Sequence, residues 1–210
     1  AFERRVPASG IAEIDRFGRD FNALLAELQG WHAGLTSENR ELAWRASHDG
    51  LTGLGNRQMF ETTLCGAIDQ ARRDGSALAV LYLDIDRFKA INDDHGHASG
   101  DAALVAVGER LRAAIRQNDL AFRLGGDEFA VLLAPTSGRD QAGMVVERIR
   151  QEMAQPFRLP SGVHIAARLS AGVAIFPEDG ESGDALLRKA DARMYRDKRR
   201  ESGSGVIVNA

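Results

Sequence analysis

The chain has 210 residues, 44% of them hydrophobic and 27% charged, with a formal net charge of −3. That length suffices for one well-cored domain plus an appendage, and the near-balanced charge argues against a global pull toward nucleic acid or membrane. A single cysteine, Cys65, excludes an intrachain disulfide framework and fits a reducing compartment. No apolar run reaches the roughly 20 residues of a spanning helix. There is no signal peptide and no initiating methionine, so the chain reads as a fragment or processed form of something longer.

In chain order, Phe17, Phe21, Leu24, Leu28, Trp31 and Leu35 come first, at alternating spacings of four and three. That is an a/d seam, which Glu38, Leu42 and Arg45 continue while losing its apolarity. One amphipathic helix packed on the rest of the chain is the plainer alternative. Three heptads of alternation favour a parallel coiled coil, and hence a stalk over residues 1–46 and a domain over 47–210. The pattern then predicts a helix from about Arg57 to Asp74, a strand over 78–84 and a helix over 100–116 after the Gly96–Gly100 loop. A hairpin over 120–134 and a helix over 139–154 follow, then two short strands flanking Ser161-Gly162 and a strand over 166–176 stopped by Pro177. A helix over 183–198 leads to a short strand at Val206–Val208. Helices and strands mixed around an antiparallel hairpin indicate an α/β sandwich with helices on both faces.

Two acidic pairs carry the chemistry. Leu78–Leu83 is apolar almost throughout, as in a strand buried on both faces, and runs into Asp84-Ile85-Asp86. This puts Asp84 at the exposed carboxyl end of a central strand. Gly125-Gly126-Asp127-Glu128 separates the apolar runs 120–124 and 129–133. Paired glycines allow a tight turn and close approach of a ligand to bare backbone. Either element alone is ordinary: a solvated hairpin tip, or a helix-capping aspartate. Together, Asp84 and Asp127 supply the two carboxylates with which magnesium binds when substrate phosphates and water complete its shell.

Arg123-Leu-Gly-Gly-Asp-Glu-Phe129 resembles the signature of the GGDEF family of diguanylate cyclases. His48-Asp-Gly-Leu-Thr-Gly-Leu-Gly-Asn-Arg57 is similar to the family's opening motif, with Gly55 where proline is frequent. Asp84-Ile-Asp-Arg-Phe-Lys-Ala-Ile-Asn92 with Gly96-His97 and Gly100-Asp101, then Ser170–Ala174 and Ala190–Tyr195, match later motifs in the family's order. Pro7–Asn22 resembles the second helix of a HAMP module, which relays signals from a membrane helix.

The resemblance implies a nucleotidyl-cyclase or palm-like sandwich with a central five-stranded sheet. It also implies condensation of two GTP into cyclic di-GMP with loss of two pyrophosphates. Two magnesium ions, or manganese, would be held by Asp84, Asp127 and the carbonyl of Ile85. Glu128 is the candidate second-metal ligand or proton acceptor, with Asp127 as the alternative. Gly125 and Gly126 would admit phosphate, Asn92 and Asp101 would read guanine, and Phe88, Lys89 and Lys198 would contact the polyphosphate. His97 either borders the nucleotide or is a structural loop histidine. Arg116 and Asp119 stand at the offset of an inhibitory product site, although Arg-x-x-Asp alone is usually a surface ion pair. The family's terminal phosphate-contacting arginine is Ser202 here, with Arg199 or Arg200 as possible substitutes. The partners implied are GTP, cyclic di-GMP and a second copy of the chain, without nucleic acid. The parent would be anchored in a bacterial inner membrane beneath an upstream sensor, with this domain cytoplasmic. A catalytically silent nucleotide sensor and a pure dimerisation module are the competing readings.

Overall fold

The computed structural model describes residues 12–201 and 208–209, in two compact units that divide between Ala46 and Ser47. Helix α1 (Ala12–Ser47) runs 36 residues without a break. Phe17, Phe21, Leu24, Leu28, Trp31 and Leu35 are all exposed along it, and the Phe17 and Phe21 rings stack with centroids 6.3 Å apart. Pro7–Ile11 of the HAMP-like segment lie outside the described residues.

The second unit is organised by strand β1 (Ala77–Ile85), in which every residue from Leu78 onward is buried. A strand sends alternate side chains to opposite faces. Ala79, Leu81, Leu83 and Ile85 join Phe129, Val131 and Leu133 in a core closed by helices α4 (His97–Ala114) and α5 (Arg139–Ala154). Leu78, Val80 and Tyr82 join Phe122, Ala130 and Leu132 beneath helices α2 (Arg57–Asp74) and α6 (Gly183–Glu201). Asp84 is the next member of that even-numbered series, so the same alternation that builds the core delivers a carboxylate to the α2/α6 face.

The central sheet is antiparallel, in the order β2-β3-β1-β6, with β2 at Leu120–Gly125, β3 at Glu128–Thr136 and β6 at Leu169–Phe176. Its register sets Asp84 opposite Glu128 on one side and Ser170 on the other. Among the described residues this sheet has four strands where five are expected. A separate sheet has the order β4-β5-β7, in which the short strand β5 (His164–Ile165) pairs with β4 (Phe157–Arg158) on one side and β7 (Val208–Asn209) on the other. Each is only two residues long, and Pro156 and Pro160, which lack an N–H, close off the first of them.

Other boundaries also move. A short helix, α3 (Phe88–His95), precedes α4, and Gly96 alone, at φ 82°, separates the two. The loop expected over 96–100 is therefore mostly helix. Asn92-Asp93-Asp94 conceals α3 in the sequence, because short polar side chains compete for backbone hydrogen bonds. Strand β6 starts at Leu169 rather than 166, and Val206 and Ile207 lie outside the described residues.

Strand β6 lies at the sheet edge, where every second residue turns its backbone groups outward. Three side chains close that edge. Asp197 accepts the Ala171 N–H at 2.9 Å, Arg193 donates to the Val173 carbonyl at 2.6 Å, and Asp179 accepts the Ile175 N–H at 2.9 Å. Gly172 lets α6 approach this closely, since a Cβ there would stand 1.9 Å from the Ala190 carbonyl oxygen.

Asp179 also receives two hydrogen bonds from Arg193, at 2.6 and 2.8 Å, and one from Arg139 at 2.7 Å. Burial works to raise its carboxyl, but the bonds from Arg193, Arg139 and the Ile175 amide outweigh this and hold it far below the usual carboxylate range. A depressed folded-state value gives stability that is complete above the unfolded value of 3.8 and drains away as pH falls below it. Asp179→Asn should therefore lower unfolding free energy at pH 7 by about 3 kcal/mol. In denaturant titrations the gap from wild type should persist at pH 5 and narrow progressively below pH 4. A gap that widens on acidification would refute this account.

Candidate active site

The end of β1, the β2–β3 turn and the last turns of α6 converge on Asp84. Its side chain is 12% exposed, and Lys198 Nζ donates to it at 2.5 Å. The strand end expected to be exposed is thus covered by α6. Burial raises the Asp84 carboxyl above its ordinary value; the Lys198 hydrogen bond opposes this, and the charges of Asp127 and Asp86 add to it. Burial acts to lower the Lys198 ammonium, but the bond to Asp84 and the charges of Asp84, Asp127 and Asp86 outweigh it and push Lys198 up. Asp84 is the carboxylate that Lys198 meets, and the charges of Asp127 and Asp86 also act on both groups, an acidic setting that fits a divalent cation. Among the described residues, no three His, Cys, Asp or Glu side chains stand close enough to ligate together. The donors fit an ion that takes its remaining ligands from substrate and water.

Gly125 and Gly126 turn the chain at φ 145° and 54°, both positive, and nothing lies within 4 Å of where a Cβ would be. Backbone is therefore open to an incoming group. The Asp127 carbonyl accepts the buried Ile85 N–H at 3.2 Å, tying the turn to the end of β1. Glu128 meets Arg57 at 3.6 Å, and the Arg57 Nε donates to the Leu124 carbonyl at 3.1 Å. Tyr82, on the same sheet face, is pushed up to about 12 by burial and by the adjoining Glu128 carboxylate. Arg123 braces the turn from outside. It donates to the Gly126 carbonyl at 3.0 and 2.8 Å and to both Asp49 oxygens at 3.1 Å.

Asp86 is no helix cap: it accepts a 2.6 Å hydrogen bond from the buried Ser170 hydroxyl. The N-cap of α3 is Arg87, at φ 57°. Beyond it, Asn92 is half-buried and its Oδ1 would lie 2.0 Å from a Cβ on Gly100, so the glycine makes room for it beside Asp101. Asp101, His97 and Lys89 are exposed on α3 and α4. Phe88 is half-buried and packs against two core clusters. Arg199 and Arg200 are exposed on the last turn of α6, and Ser202 lies outside the described residues.

Arg116 and Asp119 stand apart from this group, at the opposite end of β2, about 17 Å away along a six-residue strand. Asp119 accepts the Arg116 N–H at 3.0 Å within its own turn, leaving the Arg116 side chain exposed beside a cavity of about 320 Å³. Residues that the sequence did not single out as site residues are Arg57, Asp49, Arg123, Tyr82, Ser170 and Asp197. Four of them, Asp49, Arg57, Arg123 and Ser170, lie inside quoted motifs, yet only three-dimensional pairing reveals what each one holds.

A family model described as "Diguanylate cyclase, GGDEF domain" matches residues 46–204. The chain belongs to the GGDEF family. It is 48% identical over 203 residues to diguanylate cyclase TpbB of Pseudomonas aeruginosa, covering 97% of this chain and 47% of that protein. The chain thus spans about half the length of that relative. A structure of TpbB comprising only the GGDEF domain superposes with a TM-score of 0.71 at 46% identity, covering 73% of this chain and 89% of that one. The coiled coil and GGDEF domain of DgcB from Caulobacter crescentus, in complex with cyclic di-GMP, gives a TM-score of 0.77 at 31% identity, covering 86% and 95%.

Proposed function

We propose that this GGDEF domain condenses two GTP molecules into cyclic di-GMP with release of two pyrophosphates. The observation that carries this is Asp84 bonded by Lys198 at the sheet end, where the Ile85 N–H ties the Asp127 turn to β1, in a chain of this family. Cyclases of the family use a divalent metal. Here Asp84, Asp127 and the Ile85 carbonyl would hold two magnesium or manganese ions, with Glu128 as a further ligand. Bound metal would neutralise phosphate charge and favour the ionised 3′-hydroxyl.

The remaining work falls to the chain itself. Backbone N–H groups at Gly125 and Gly126 receive phosphate, and Lys198 and Lys89 bind the triphosphate. Asn92 and Asp101 read guanine; Asp101 accepts from N1–H and the exocyclic amine, which adenine cannot satisfy. Glu128, oriented by Arg57 and Tyr82, or else Asp127, takes the proton of the 3′-hydroxyl. That oxygen bonds to the α-phosphorus of the other GTP as pyrophosphate leaves, and a second identical step closes the ring. Residues 1–46 serve as a HAMP-linked stalk joining two chains, from a parent held at the inner membrane. No described helix is itself long and apolar enough to cross a membrane.

Incubation with GTP and magnesium, followed by chromatography, should yield cyclic di-GMP, with no cyclic product from ATP. Asp84→Ala and Asp127→Ala should each reduce turnover by about 10²–10³-fold with circular dichroism unchanged. Full activity in both variants would sink the metal assignment. GTP binding without product would make the domain a sensor instead.

The Arg116 guanidinium can fork onto a guanine edge or a phosphate, which supports cyclic di-GMP binding at Arg116 and Asp119. Arg116→Ala should keep catalysis and lose noncompetitive product inhibition. Equal product affinity in wild type and variant, measured by calorimetry, would exclude the site.

The exposed seam of α1 supports association of two chains, which raises the effective concentration of one domain near the other. Activity per chain should fall on dilution, and charged replacements of Leu24 and Leu28 should steepen that fall. Constant specific activity across dilution, unchanged by those replacements, would show that the stalk does not assemble the active pair.

A further inference from the structure

Asp197 immediately precedes Lys198 on α6, and its carboxylate makes bonds that converge on the active site. One oxygen accepts from the Arg150 guanidinium of α5 at 2.7 Å and from the Ala171 N–H of β6 at 2.9 Å. The residue before Ala171 is Ser170, which donates to Asp86 and stands in register with Asp84. Asp197 therefore fastens α6 to the strand segment that adjoins the carboxylate cluster. One residue further along the helix, Lys198 reaches Asp84.

Lysine is a flexible chain with four carbons, and the position of its ammonium depends on the backbone that carries it. Lys198 is three residues from the end of α6 at Glu201. Terminal turns fray because their last carbonyls have no partner within the helix. An anchor at position 197, joined to two other elements, suppresses fraying where the lysine is mounted. The side chain of Asp197 is 23% exposed and that of Arg150 is 34% exposed, so solvent weakens this pair without abolishing it.

We propose that Asp197 is a positioning residue for nucleotide binding: through Arg150 and the Ala171 amide it holds the last turns of α6 so that Lys198 meets the triphosphate. The inference rests on Lys198 being a triphosphate contact. Simple closure of the sheet edge is the competing role, and it would change stability without changing nucleotide affinity.

A double-mutant cycle separates these roles. Dissociation constants for a non-hydrolysable GTP analogue with magnesium are measured by calorimetry, so a domain that binds without turning over still gives an answer. Thermal midpoints are recorded beside them. Lys198→Ala should weaken binding about tenfold, and Asp197→Ala about fivefold. The double variant should bind like Lys198→Ala alone, because Asp197 acts only through the lysine. Asp197→Asn keeps an acceptor for Ala171 and loses the charge facing Arg150. It should fall between wild type and Asp197→Ala, and it takes the place of Asp197→Ala in the cycle should that variant fail to fold. An Asp197 variant with a lower thermal midpoint and unchanged affinity overturns the proposal, as does a full additional loss in the Lys198→Ala background. Unchanged affinity in Lys198→Ala removes the triphosphate role of the lysine and the proposal with it. An effect of Lys198→Ala without one of Asp197→Ala removes the positioning alone.

Discussion

A carboxylate buried at the end of the central strand is the constraint around which this domain is arranged. Asp84 sits where both faces of the sheet are covered, and removing a charge from water is costly unless a partner compensates. The compensation comes from the far end of the chain, through Lys198 on the final helix. The charges of Asp127 and Asp86 act on the same pair and keep the Asp84 carboxyl raised. In the proposed reaction a cation would add positive charge there and take its remaining ligands from substrate and water.

That arrangement depends on how α6 is seated. The missing side chain at Gly172 permits helix and strand backbones to meet, and Asp179, Arg193 and Asp197 hydrogen-bond alternate backbone groups along β6. These contacts close an edge that would otherwise template pairing with another strand. They also fix the height and rotation of the helix that carries Lys198. Edge protection and construction of the site are accomplished by the same contacts, which links the stability of α6 to the electrostatics at Asp84.

Much of this was legible in the sequence because local patterns were strong. The run Leu78–Leu83 marked the central strand, and Asn56 and Gly75 now cap a helix whose limits, Arg57 and Asp74, were readable from periodicity. The signature turn and Asp84 came from motif and chemistry together. What stayed hidden depended on pairing between distant segments. Asp49 and Arg123 are 74 residues apart, and Arg123, held by Asp49, bonds the turn. Asp84 and Lys198 are separated by 114. Helix α3 was obscured by its own polar residues. The packing of Phe88 against two core clusters was equally hidden, because a motif position does not reveal which way a ring faces. Two short strands flanking Ser161-Gly162 were legible, but which strands join which sheet was not, because strand count depends on which edges pair.

The openness of the glycine turn bears on why one domain would not complete the proposed reaction. Gly125 and Gly126 face open space, and the candidate guanine reader Asp101 is exposed on α4. A nucleotide held there would present its 3′-hydroxyl outward, without a second α-phosphorus from the same domain to attack. Cyclic di-GMP is built from two identical halves, and in the proposed reaction two such sites related by a two-fold axis would supply the missing phosphorus to each other. Rigid bracing of the turn by Arg123 and Asp49 suits that role, because each site must hold its geometry before the other arrives. On that reading assembly would be the controlled step. A long helix with an exposed apolar seam, reaching to Ser47, would change how often two preformed half-sites meet without altering either half.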